Sequence, residues 1–185
     1  ASIIKACEDI GYETVKIEFH GVFKDILADV KNVDLVFYAL HGGAGEDGQA
    51  QFWLKKNNII FTGSGAQASK TCMNKERSKI IAKILGIKTP NWEIFDETFS
   101  KPKLKLPYVI KPNEQGSTVG LSLVESQDMV EDALDLAFNY SNNILIEEYI
   151  KGRELAVSIV GNDVFPIVEI IPSNKLYDYE CKYVP

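Results

Sequence analysis

No apolar run in the sequence reaches the roughly 18 residues of a membrane-spanning helix, and the opening residues, Ala1-Ser2-Ile3-Ile4-Lys5, show no signal-peptide pattern and no initiator Met. A membrane partner is therefore not expected. Cysteine is scarce. Cys7, Cys72 and Cys181 are three in number and form no CxxC pair, which argues against a disulfide framework or a zinc site. A reducing cytoplasm is the expected compartment. Positive charge is also in deficit: 20 Lys and Arg stand against 26 Asp and Glu, for a net charge of −6. A duplex-binding protein presents a basic face, so nucleic acid is not an expected partner. There is no internal repeat and no low-complexity tract. What remains is 185 residues, 45% hydrophobic and 25% charged, the composition of a folded chain with one domain or two small ones. An acidic total still leaves room for a small, locally basic phosphate site.

Along the chain, residues 2–10 read as the end of an amphipathic helix closed by Gly11. Tyr12 to Phe19 alternates as a strand does, and Asp34 to Leu40 is nearly all apolar, as in a strand buried on both faces of a parallel sheet. A Gly-rich loop (42–48), a helix from Gln49 to Asn57 and a short strand at Ile59–Phe61 complete an open α/β unit. Asn74 then caps a helix through Leu85, with Gly86 as its stop and Ile80, Ile81, Ile84 and Leu85 on one face. Residues 96–106 are polar, Lys-rich and linker-like. Strands are expected at Tyr108–Lys111, Leu121–Val124 and Asn143–Tyr149, with a helix between the last two capped by Ser126. Beyond Glu154, two alternating segments flank Gly161-Asn162-Asp163, a hairpin signal.

Five segments could carry chemistry. His41-Gly42-Gly43-Ala44-Gly45-Glu46-Asp47-Gly48-Gln49 sits at a strand's carboxyl end and opens a helix, where ligands bind open α/β sheets. Lys75 lies in a helix's first turn, where a cation opposes the macrodipole unless an anion is nearby. Lys111-Pro112 ends a strand and leads into Asn113-Glu114-Gln115-Gly116-Ser117-Thr118-Val119-Gly120. That loop offers backbone amides and two hydroxyls to an anion, without the Gly-Lys-[Ser/Thr] of a Walker A loop. Glu147 and Glu148 end an apolar strand and should point to opposite faces, with Glu154 beyond the turn at Gly152. The fifth, Tyr177 to Tyr183, is a polar aromatic loop of the kind that covers a site. Taken singly, each is weak: the first also reads as a structural turn, and Lys75, the 113–120 loop and the acidic pair read more readily as a solvated lysine, a plain hairpin loop and an exposed acidic strand end.

In this order, however, HGGAGEDGQ, FTGSGAQASKTCMNKERSK, LPYVIKPNEQGSTVG, ILIEEYIKGRE and YDYECKY resemble the D-alanine–D-alanine ligases of the ATP-grasp superfamily over nearly the whole chain. The resemblance implies an α/β, ATP-grasp fold with an N-terminal open parallel-sheet domain, incomplete at both ends. It divides the chain into the remainder of a substrate domain (1–72), a small central domain (73–152) and the start of a third domain (153–185). It implies a reaction in which ATP phosphorylates one D-alanine and the amine of a second displaces the phosphate. D-alanine and ATP are then the partners, Mg2+ or Mn2+ the metal, and a homodimer the assembly.

Carried over by position, the resemblance makes Lys75 and Lys111 phosphate-contacting lysines. Gly116, Ser117 and Thr118 belong to the loop that closes over the phosphates, and Ser117 also joins an active-site hydrogen-bond network. Glu147 falls to the adenine amine, Glu148 and Ile150 to the adjoining hinge, and Glu154 to the ribose. His41 is substrate-side, and Lys182 precedes Tyr183, the mobile-loop tyrosine associated with dipeptide rather than depsipeptide formation. The metal ligands are expected beyond Pro185. A D-alanine–D-lactate type of ligase and a non-catalytic nucleotide-binding module are the alternatives. The loops at 113–120 and 177–185 are expected to move.

Overall fold

The computed structural model describes residues 2–96 and 101–172. The chain forms two compact units, Ala1–Lys70 and Thr71–Pro185.

In the first unit, α1 spans Ser2–Asp9, α2 Leu27–Lys31 and α3 Gln49–Lys56, and α4 (Ala66–Met73) begins there and runs into the second. Helix α3 starts where its glycine stop ends. Gly48 is left-handed (φ +94°), and a Cβ there would stand 2.3 Å from the Ala66 carbonyl oxygen. Val30, Leu54 and Ile59 form a small core, with Ile17, Val36, Tyr38, Trp53 and Phe61 packed against it. The three expected strands are corrected here. Residues 12–19, 34–40 and 59–61 lie in no regular strand. Among the described residues the only ladder contact of 34–40 is a parallel bridge between Val36 and Phe61, held by Val36 N–H to Ile60 O (2.9 Å) and Thr62 N–H to Val36 O (3.0 Å). A strand needs hydrogen-bonded neighbours along its length, and an apolar run does not supply them. Leu35 and Phe37 consequently remain 51% and 54% exposed. Together with Val15 and Ile17 they line an apolar groove of about 780 Å³.

The second unit is built differently. Helix α5 (Lys75–Ile84) precedes four strands, β1 (Trp92–Phe95), β2 (Tyr108–Pro112), β3 (Ser122–Val124) and β4 (Ile144–Glu148). They form one antiparallel sheet in the order β1-β4-β2-β3. Helix α6 (Val130–Phe138) covers one face. It follows a 3-10 turn at Gln127–Met129, and the Ser126 hydroxyl engages the Asp128 side chain instead of capping an amide. Strand alternation decides what lies under α6. Phe95, Tyr108, Ile110, Val124, Ile144 and Ile146 point there and meet Val130, Ala133 and Ala137. Each fully buried aliphatic side chain stabilises the unit by about 1.5–3 kcal/mol.

Of the segment 96–106, read as a linker, residues 97–100 lie outside the described residues, and the part from 101 to 106 is anchored to the unit. Leu104 packs on this core, and the amides of Lys103 and Leu104 donate to Glu93 Oε1 at 2.7 and 3.0 Å. After β4 come two small antiparallel pairs: β5 (Glu154–Ala156) with β8 (Val168–Ile170), and β6 (Ile159–Val160) with β7 (Asp163–Val164). The β6–β7 turn is Gly161-Asn162, with Gly161 left-handed (φ +62°), as the hairpin signal required.

Candidate nucleotide-binding site

The sheet face away from α6 carries the charged groups. The register sets Val109 and Trp92 opposite Glu147, and Lys111 opposite Leu145. Directly opposed residues share a face, so Trp92, Glu147, Val109 and Lys111 all lie on this side. Lys111 and Glu147 are diagonal neighbours, and Lys111 Nζ donates to Glu147 Oε1. The other oxygen, Oε2, accepts from Lys79 Nζ at 2.8 Å. Burial pushes the Glu147 carboxyl upward, but Lys111 and Lys79 more than offset this and hold it below its ordinary range. Glu148, one residue on, faces outward as alternation requires and accepts from Asn91 Nδ2 at 3.1 Å.

Helix α5 is fixed to the end of β2. Its N-cap, Asn74, accepts from Arg77 N–H at 2.9 Å and donates to Glu114 Oε1 at 2.6 Å. Asn113, almost wholly buried, accepts from Glu76 N–H (3.0 Å) through its side chain and from Lys75 N–H (3.1 Å) through its carbonyl. The Lys75 ammonium turns onto the same loop, donating to the carbonyls of Pro112 (3.0 Å), Asn113 (3.3 Å) and Gln115. Burial first, then the nearby Lys111 charge, lowers the Lys75 pKa to about 8, against the pull of Glu147 and Glu114. A cation in the first helical turn thus has acceptors in place, and the Lys111 charge is felt at Lys75.

The loop from Asn113 to Leu121 joins antiparallel strands. Ser117 and Thr118 both adopt left-handed conformations (φ 51° and 59°). Two consecutive non-glycine residues there, one of them β-branched, are strained, and such strain clusters at ligand clamps. The Thr118 hydroxyl donates to the Ser117 carbonyl at 2.6 Å. Gly116 opens this turn. Gly120 (φ +70°) closes it under Tyr140 and Pro112, where a Cβ would approach within 2.8–2.9 Å. Ile150 is exposed just beyond β4, and Glu154 is exposed at the start of β5.

Lys75, Lys111 and Glu147 are therefore brought together, with Gly116, Ser117 and Thr118 on the loop that Lys75 grips. Glu148, Ile150 and Glu154 follow farther along the chain, and Glu154 takes its place beside Ile170 in the β5–β8 pair. His41 belongs to the first unit and is exposed ahead of the 3-10 turn at Gly43–Gly45, a turn held by Tyr38 Oη and by Gln51 Nε2 (3.1 Å), both donating to the Gly45 carbonyl. Lys182 and Tyr183 lie outside the described residues. Sequence reasoning missed Lys79, Asn113 and Asn74's second bond. The signal for Lys79 was its place four residues after Lys75, hence on the same helix face. Among the described residues no group of three His, Cys, Asp or Glu side chains is arranged to hold a metal ion. The expected Mg2+ or Mn2+ therefore finds no ligand set there.

Residues 81–185 match the family model described as D-ala D-ala ligase C-terminus. The chain belongs to that family. It is 38% identical to the D-alanine–D-alanine ligase of Halalkalibacterium halodurans, over 99% of this chain and 63% of the relative. The crystal structure of the Bacillus anthracis D-alanine–D-alanine ligase superposes with a TM-score of 0.86 at 34% identity, covering 97% of this chain and 60% of that one. The same ligase complexed with ATP gives a TM-score of 0.78 at 34% identity, over 87% and 56% of the two chains. The chain thus spans about three-fifths of the length of the relatives it matches. These likenesses uphold the α/β, ATP-grasp reading of the fold.

Proposed function

We propose that this chain is the nucleotide-handling part of an ATP-dependent ligase that joins two D-alanine molecules for peptidoglycan synthesis. The observation that carries this reading is the meeting of Lys75, Lys111 and Glu147 at a strained Gly-Ser-Thr loop, in a family whose crystallised Bacillus anthracis member was complexed with ATP.

A carboxylate is a poor acyl donor, because its leaving group would be oxide. Transfer of the ATP γ-phosphoryl group to a carboxylate oxygen of the first D-alanine releases ADP and gives an acyl phosphate. The amine of the second D-alanine then forms the C–N bond, loses a proton, and expels inorganic phosphate. The demand on the protein is to gather cations and amide donors around phosphate oxygens that gain charge on the way. Lys75 and Lys111 supply the cations, and the amides of 116–120 supply donors. Glu147 accepts from the adenine amine, with Glu148 and Ile150 flanking the base and Glu154 on the ribose. His41, Ser117 and Tyr183 serve the amino-acid side, with Lys182 near the phosphates. We extend the reading to a cytoplasmic homodimer.

Incubating the full-length protein with ATP, Mg2+ and D-alanine tests this. Phosphate and D-alanyl-D-alanine should appear in equal amounts. ATP hydrolysis without dipeptide, or no ATP use, overturns it.

A further inference from the structure

Lys79 is the most deeply buried charge in the described residues of the second unit, with 8% of its surface exposed. Its stem rises from the middle of α5. Its ammonium donates to Thr89 Oγ1 at 2.7 Å and Glu147 Oε2 at 2.8 Å, and lies 5.0 Å from the centre of the Trp92 ring. The neighbouring apolar residues of the helix, expected to form its core face, turn outward: Ile84 is 77% exposed. The helix therefore presents a lysine to the sheet while leaving isoleucines outside. Stability does not ask for this. A buried ion pair costs several kcal/mol of desolvation per ion, and an apolar side chain of similar volume is often as good or better.

The arrangement has a consequence for Lys111. Glu147 receives two cations, one on each oxygen. If Lys111 turns toward a phosphate, Glu147 still keeps Lys79. Without Lys79, the same movement would strand a half-buried carboxylate with no counter-ion, and Lys111 would be held where it is.

We propose that Lys79 is a positioning residue that keeps Glu147 paired and oriented, so that Lys111 can exchange the carboxylate for a nucleotide phosphate. The proposal rests on the ATP reading above. The charged groups that act on Glu147 are Lys79 and Lys75 from α5 and Lys111 from β2. Thr89 and Trp92 contribute no charge.

The test is steady-state kinetics of the full-length protein with Lys79→Met, Lys79→Arg, Glu147→Gln and the double variant Lys79→Met/Glu147→Gln. For Lys79→Met, KM for ATP should rise about tenfold while KM for D-alanine stays within twofold. That penalty should shrink as pH falls, since protonation of Glu147, whose carboxyl has lost one of the cations that hold it low, frees Lys111. Lys79→Arg should keep KM for ATP within threefold of wild type at each pH. In the double variant the Lys79→Met penalty should largely vanish, because no carboxylate remains to trap Lys111; non-additivity of this kind is the mark of direct coupling. An unchanged KM for ATP in Lys79→Met, or a raised KM that does not recover as pH falls, overturns the proposal, as does an additive double variant or an equal loss for both substrates. If Lys79→Met does not accumulate as folded protein, Lys79→Arg decides, and a KM for ATP raised more than threefold in that variant overturns the proposal. Wild-type protein that does not use ATP with D-alanine overturns the functional reading instead.

Discussion

The two units contain equally apolar segments with opposite fates. Ile144, Leu145 and Ile146 of β4 are completely buried, flanked by β1 and β2 over their whole length and covered by α6 on one face. Leu35-Val36-Phe37 in the first unit meets a single bridge at Val36, and its outer residues are half exposed beside an apolar groove. Hydrophobicity nominates a strand, but backbone pairing makes one. The charged site grows from the paired region. Only a ladder on both sides of β4 places Glu147 diagonal to Lys111 and opposite Trp92.

Core truncation gives the largest contrast. Ile146→Ala should destabilise the second unit by about 2–5 kcal/mol, the usual range for a buried Ile reduced to Ala, as read by urea denaturation. Leu35→Ala should change stability by no more than about 0.5 kcal/mol. Equal effects would erase the distinction. A rigid point exists even in the first unit. Gly48→Ala forces a Cβ against the Ala66 carbonyl at a left-handed φ, and should cost about 2 kcal/mol. Gly63→Ala, left-handed but in open space, should cost about 1 kcal/mol. Reversal of that order in thermal melts would remove close approach as the reason for Gly48.

A further contrast is a pH dependence confined to the second unit. Lys75 titrates near 8 in the folded chain against an ordinary 10.5. The unfolded chain therefore binds more protons between those values, and this group makes stability rise with pH across that window. Lys75→Met should remove the rise. Urea midpoints that climb identically in both proteins between pH 8 and 10.5 would assign it to other groups.

Much of this was legible in the residues. Asn74 and Gly86 bracket α5, and alternation put Glu147 and Glu148 on opposite sides of their strand. The glycine at 161 marked a real hairpin. Strand order was not legible, because β1 joins the sheet beside β4 and not beside its sequence neighbour β2, and pairing of distant segments leaves no local periodicity. The burial of Lys79 was hidden for a related reason. Ile80, Ile81 and Ile84 form the apolar stripe that ordinarily faces a core, and only the placement of Glu147 by β4 makes a lysine the inward residue. Segment 96–106 read as a linker because its anchor, Glu93, lies outside it.

Calorimetric titration of ATP into the full-length protein, and into Lys75→Ala and Lys111→Ala, addresses the central claim most directly. Two lysines meeting one triphosphate should give saturable one-site binding in wild type. Each substitution should weaken it at least tenfold, about 1.4 kcal/mol or more, with folding intact by circular dichroism. Equal ATP affinity in all three proteins would contradict the convergence of Lys75 and Lys111 on a nucleotide.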